Sequence, residues 1–140
     1  MGVTKNDIDT SITARFHEVE EMDKRGEFSF VYKVKKPVNA TFDSPSHSTN
    51  SVWVVKKSKK PYMGNADRAK KMREVEILHA LRGNDHIVSL ASHWEFNNHL
   101  YMQMEYCESG DLFTFLAKEG NKSRLDDFRI WKILLEIATV

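Results

Sequence analysis

Two neighbouring stretches decide how this chain is read: Val52-Trp53-Val54-Val55-Lys56-Lys57, and Asp67 to Arg82, in which Met72, Val75, Leu78 and Leu81 recur every three residues. The first is a short, continuously apolar run closed by lysines, the pattern of a strand buried on both faces. The second gathers its apolar residues on one side of a helix, with an Asn or Asp to cap its start and Gly83 just past its end. Lys56 ends the strand, so its ammonium can project from a rigid element toward a cleft. Glu74 falls between Leu78 and Leu81 on the apolar arc of the helix, at the edge of the buried face. A carboxylate there needs a cation or must lose its charge, and Lys56 on the preceding strand is the available partner.

Upstream of this pair, residues 1–14 are polar and without periodicity and read as a disordered tail. Phe16 to Met22 and Phe28 to Lys36 are strand-like, with Phe28, Phe30, Tyr32 and Val34 alternating against Ser29, Val31 and Lys33, and Asp23-Lys24-Arg25-Gly26 turns between them. Pro37 to Asn50 reads as a loop. Downstream, Ile87 to Phe96 and Leu100 to Tyr106 form a second hairpin through Asn97-Asn98, and Ser109-Gly110 breaks the pattern. A short helix from Asp111 to Lys118 follows. A stronger one runs from Asp126 onward, opened by the capping-box pattern Ser123-Arg124-Leu125-Asp126. That last helix is apolar nearly all round (Phe128, Ile130, Trp131, Ile133, Leu134, Leu135, Ile137, Ala138), so burial on several sides is expected. Because the sequence stops at Val140 with nothing left to cover it, the chain is expected to be incomplete. The order of elements gives an α+β fold, an antiparallel sheet with one packed helix followed by further helices.

Composition narrows the function. The chain has 140 residues, 41% of them hydrophobic, enough for the modest core of one domain. A formal charge of +1 lacks the basic footprint of a nucleic-acid binder, and the cluster Lys56, Lys57, Lys59, Lys60 reads as a solvated strand end. The single cysteine, Cys107, excludes an internal disulfide framework and a cysteine-based zinc site. No stretch approaches the roughly 18 to 20 apolar residues of a membrane span, and the N-terminus lacks a signal-peptide core. A soluble, intracellular monomer with no nucleic-acid or membrane partner is the expectation. His79, His86, His93 and His99 are scattered over different elements and suggest no metal site. Trp53, Trp94 and Trp131 read as core aromatics.

A lysine held by a carboxylate and facing a glycine turn over a cleft is the arrangement that fixes nucleotide phosphates in protein kinases. Here the turn is Lys24-Arg25-Gly26-Glu27-Phe28-Ser29-Phe30-Val31. An ordered series of stretches then resembles the Wee-type kinases: Phe16-His17-Glu18-Val19-Glu20-Glu21, Gly26-Glu27-Phe28, Lys56-Lys57-Ser58-Lys59-Lys60-Pro61, Arg73-Glu74-Val75 and Gln103-Met104-Glu105-Tyr106-Cys107. The run from Ser123 to Leu134 is similar to the fungal members. The resemblance extends from about Phe16 to Val140 and implies a five-stranded kinase N-lobe and hinge over 15–108, with an insertion at 37–50. Residues 109–140 would begin a truncated helical C-lobe.

By this resemblance Lys56 would contact the ATP phosphates and Glu74 would hold it. Gly26 would lie in the phosphate-covering loop, Val31 would cap the adenine, and Val54 stands at the usual alanine position. Met104 would be the gatekeeper, and the Glu105 carbonyl and Cys107 backbone would meet the adenine edge. The implied protein substrate is a tyrosine of a cyclin-dependent kinase, whose phosphorylation restrains mitosis, with nuclear and cytoplasmic residence. Lys24, an extra Asp23 and Ser29 depart from the glycine pattern and restrict close backbone approach to phosphate. No His-Arg-Asp loop and no Asp-Phe-Gly occur in the sequence; Asp126-Asp127-Phe128-Arg129 belongs to a helix. Mg2+ is therefore expected only in a longer kinase, and the chain alone is expected to be inactive. The alternative is a non-catalytic kinase-like interaction module.

Overall fold

The computed structural model describes residues 9–22, 27–36, 52–119 and 124–139. The expected glycine turn with Gly26, the loop at 37–50 and Ser123 lie outside the described residues. Among the described residues nine elements follow one another: α1 (Thr10–Thr13), β1 (Glu18–Glu21), β2 (Ser29–Lys35), β3 (Val52–Ser58), α2 (Asn65–Ala80), β4 (Leu90–Phe96), β5 (His99–Glu105), α3 (Leu112–Glu119) and α4 (Asp127–Ala138). The five strands form one antiparallel sheet in the order β1-β2-β3-β5-β4. Asn97 and Asn98 turn β4 into β5 with φ of 48° and 61°, the left-handed pair that asparagine tolerates in a two-residue hairpin.

Pairing across the sheet fixes which residues share a face. Val31, Lys56 and Met102 are aligned on one rung, and Lys33, Val54 and Met104 on another of the same face. Phe30, Lys57, Tyr101 and Trp94 form a rung of the opposite face. The sheet thus has a front and a back, and each has its own core. On the front, Val75 of α2 packs with Leu90, Leu100 and Met102, flanked by Tyr62, Met72, Leu78 and Met104. On the back, Ile12 and Phe16 pack with Tyr32, Val34, Val55 and Tyr101, flanked by Val19, Phe30, Trp53 and Trp94.

The back core corrects the reading of residues 1–14 as a tail for residues 9–14, residues 1–8 lying outside the described residues. Residues 10–13 form the one-turn helix α1, capped by the Asp9 carboxylate on the Ser11 N–H at 2.8 Å, and Ile12 is 0% exposed. Polar composition concealed it because only Ile12 and Phe16 face inward, one turn apart. β3 also runs past its apolar residues to Ser58, since its lysines have acceptors on both faces. At α2 the expected side-chain cap is absent. Gly64 holds that position, while the Asp67 carboxylate one turn in accepts from the Met63 N–H at 2.9 Å.

Two expectations for the last helix are also corrected. Asp126, not Ser123, caps α4, through its carboxylate on the Arg129 N–H at 2.9 Å. The helix is not buried: Phe128, Leu134, Leu135 and Ile137 are exposed, and Trp131, read as a core aromatic, is 71% exposed. Trp53 and Trp94 do pack on the back core.

Candidate nucleotide site

Lys56 and Glu74 meet on the front of the sheet. The Lys56 ammonium donates to Glu74 Oε1 at 2.7 Å, with side chains 30% and 48% exposed. Half-burial of Glu74 means that desolvation does not force the pairing, contrary to the reading of a carboxylate at the edge of the core. What brings it about is the placement of α2. At its start Asp67 binds the Met63 N–H and Lys71, whose ammonium also reaches the Lys60 carbonyl at 3.3 Å. The next residue, Arg68, forms a two-pronged pair with Glu95 of β4, Nε to Oε2 at 2.7 Å and Nη2 to Oε1 at 2.5 Å. Val75 is buried against the sheet, and past the end of the helix Arg82 donates to the Leu90 carbonyl at 3.3 Å. Glu74 faces Lys56 because its neighbours on α2 are held at several points.

These contacts also set local titration. The Arg68 guanidinium holds the Glu95 carboxyl below its usual range, and Arg68 is itself pushed up by Glu95. Burial pushes the Tyr62 hydroxyl up to about 12, helped by the neighbouring Glu95 charge. That hydroxyl is buried and makes no hydrogen bond of good geometry among the described residues, although the Glu95 carboxylate lies close enough to act on it.

Beside the Lys56–Glu74 pair lies a cavity of about 240 Å³ bounded by Phe28 and Ser29 above, Lys71 and Glu74 from α2, and Leu100 and Met102 from β5. Val31, Val54 and Met104 continue the same face of the sheet toward the segment after β5. There the Glu105 N–H is taken by the Ser89 carbonyl at 3.0 Å and the Cys107 carbonyl by Gly110 N–H at 3.1 Å. The Cys107 N–H has no backbone acceptor among the described residues. Lys33 places its ammonium 4.5 Å from the centre of the Tyr106 ring, tying β2 to this segment. That contact was not read from the sequence, although Lys33 lies on the rung of Val54 and Met104.

The front of the sheet therefore brings together Val31, Val54, Lys56, Glu74 and Met104, and the strand end carries Glu105 and Cys107. Gly26 lies outside the described residues. Residues 24–139 match the family described as the protein kinase domain. The chain belongs to the protein kinase domain family. Among kinases it is 46% identical over 113 residues to the mitosis inhibitor protein kinase wee1 of Schizosaccharomyces pombe, which covers 81% of this chain and 12% of that protein. It is 32% identical over 134 residues to mik1 of the same yeast, covering 96% of this chain and 22% of that kinase. The mitosis inhibitor kinase SWE1 of Saccharomyces cerevisiae is 31% identical over 140 residues, covering 93% of this chain and 16% of its own length. The chain thus spans between 12% and 22% of the length of these Wee-type kinases. The sheet and its packed helix are those of a kinase N-lobe.

Protein kinases use ATP with Mg2+, and the residues present fit the nucleotide: an apolar face, the Lys56 cation on it and, at the strand end, the Cys107 N–H, which has no backbone acceptor among the described residues. No group of three or more His, Cys, Asp or Glu side chains converges to hold a metal among the described residues.

Proposed function

We propose that this chain is the ATP-binding part of a Wee-type protein kinase whose substrate is a tyrosine of a cyclin-dependent kinase, acting in the nucleus and cytoplasm. The observation that carries the reading is the 2.7 Å pair between Lys56 and Glu74, placed on the face shared by Val31, Val54 and Met104. In this reading the Lys56 ammonium neutralises phosphate oxygens while Glu74 keeps it from swinging into solvent. Val31 and Val54 cover the base, Met104 limits its depth, and the Glu105 carbonyl and Cys107 N–H select its edge. ATP supplies the transferred phosphoryl group; the chain's own groups bind and orient. With no His-Arg-Asp and no Asp-Phe-Gly in these 140 residues, the chain by itself lacks a group to position the acceptor hydroxyl and is proposed to bind without transferring.

The competing reading, a non-catalytic interaction module, calls for little exposed apolar surface. Phe128, Trp131 and Leu135 stand exposed instead. The test is titration of a fluorescent ATP analogue against the 140-residue chain and its Lys56→Met variant, with a tyrosine peptide present to register transfer. Saturable binding that weakens at least about tenfold in the variant, roughly one charge-assisted contact, supports the proposal. Equal binding by both, or none by the parent, overturns it.

A further inference from the structure

We infer that α1 is a positioning element for Lys56, acting through the sheet by way of Asp9, Lys57 and Tyr101. The inference rests on the nucleotide-binding reading for its functional meaning and on the geometry of the sheet for its mechanism.

Consecutive residues of a strand point to opposite faces, so whatever fixes Lys57 on the back constrains where Lys56 emerges on the front. Lys57 is fixed from outside the sheet. Asp9 Oδ2 accepts from the Lys57 ammonium at 2.5 Å and from the Tyr101 hydroxyl at 2.5 Å, and Asp9 Oδ1 caps α1. Two residues on, Ser11 Oγ accepts from Trp94 Nε1 at 2.8 Å. Lys57, Tyr101 and Trp94 are successive members of one rung across β3, β5 and β4. α1 therefore stitches three strands together at a single level, and Ile12 anchors it in the back core. The neighbouring rung, on the front, is Val31, Lys56, Met102 and His93.

Burial decides which contact governs the other. The Asp9 and Lys57 side chains are 11% and 18% exposed, whereas Glu74 and Lys56 are 48% and 30% exposed. A half-exposed pair holds its members weakly, while removing one partner of a largely buried pair leaves a charge without compensation. The front pair can keep its geometry only if the backbone of β3 is already oriented, and the stitched rung supplies that orientation from one residue away.

The experiment uses the 140-residue chain and Asp9→Asn, which keeps a side-chain acceptor for the Ser11 N–H while removing the charge. Trace acetylation by acetic anhydride, read by mass spectrometry as the Lys56 rate relative to the exposed Lys70, reports the front pair without any nucleotide. Asp9→Asn is expected to raise that ratio about two- to fivefold, the ceiling set by a half-exposed pair, and to weaken the fluorescent ATP analogue by a similar factor at a temperature where both proteins are folded. In a Glu74→Gln background the Asp9 effect on acetylation should vanish, because nothing is left to misalign. A lowered thermal midpoint with an unchanged acetylation ratio overturns the inference, as does a full Asp9 effect persisting without Glu74. Should Asp9→Asn fail to fold, Tyr101→Phe removes one of the two sheet contacts of Asp9 and is read by the same ratio. Absence of nucleotide binding by the parent chain overturns the function proposed above and leaves the acetylation ratio to decide the positioning role.

Discussion

Replacing Ile12 with alanine should cost this chain much of its stability, although Ile12 sits in a helix of one turn within a stretch of polar sequence. The side chain is 0% exposed and touches the back core. Truncation removes three carbons, and at about 0.8 kcal/mol for each buried carbon the transfer loss is about 2.4 kcal/mol. A residual cavity would raise the cost toward the upper end of the roughly 2 to 5 kcal/mol range for such changes. Undocking of α1 as a unit limits that rise, because a short peripheral element can detach before the sheet unfolds. About 2.5 to 3 kcal/mol is the expected loss, a substantial share of the roughly 5 to 15 kcal/mol typical of a domain. Urea unfolding of the 140-residue chain, followed by far-UV circular dichroism, measures it, with Ile12→Val as a control expected near 1 kcal/mol. A loss under about 0.5 kcal/mol for the alanine variant would refute the reasoning, since a side chain that packs nothing costs nothing.

Three further outcomes are expected. Tyr62→Phe should stabilise the chain by about 1 kcal/mol, because its buried hydroxyl lacks a partner, and a destabilisation of similar size would show that the hydroxyl is bonded. Burial alone would raise the Asp9 pKa, but hydrogen bonds from Lys57, Tyr101 and the Ser11 N–H outweigh it, and the group titrates below its ordinary 3.8. Its contribution is therefore present above that value and lost as pH falls through the lower folded one, so urea midpoints of parent and Asp9→Asn should converge over the acid interval below 3.8. Parallel curves over that interval would contradict this sign. Finally, the exposed face of α4 should bind a hydrophobic dye, and Phe128→Ser with Trp131→Ser should remove roughly half or more of the signal; undiminished fluorescence would place the dye elsewhere.

The sheet was legible because its strands alternate: Phe30, Tyr32 and Val34 against Val31 and Lys33, then Leu100 and Met102 against Tyr101 and Gln103. Asn97-Asn98 names its own turn. The Lys56–Glu74 pair could be anticipated because strand and helix are neighbours in sequence and each presents one charge to the same side. The back of the sheet could not. Asp9 lies 48 residues from Lys57 and 92 from Tyr101, and no local periodicity encodes a contact across such distances. Two signals were nevertheless present, an Asp before Thr10-Ser11 and the one-turn spacing of Ile12 and Phe16. The two-pronged Arg68–Glu95 pair was hidden in the same way, its members lying 27 residues apart.

Two adjacent lysines, each met by a carboxylate on its own side of the sheet, make the charge pattern of β3 a register lock. Sliding the strand one residue one way would bring Lys57 to Glu74 but set Ser58 opposite Asp9 and drive Lys56 to the level of the buried Val55; sliding it the other way would bring Lys56 to Asp9 but set Val55 opposite Glu74. Either slip strands one carboxylate without its lysine and turns Val55 and Trp53 from the back core to the front. Charge and bulk therefore enforce the same alignment of β3, and the lysine that stands at the cleft is chosen twice over.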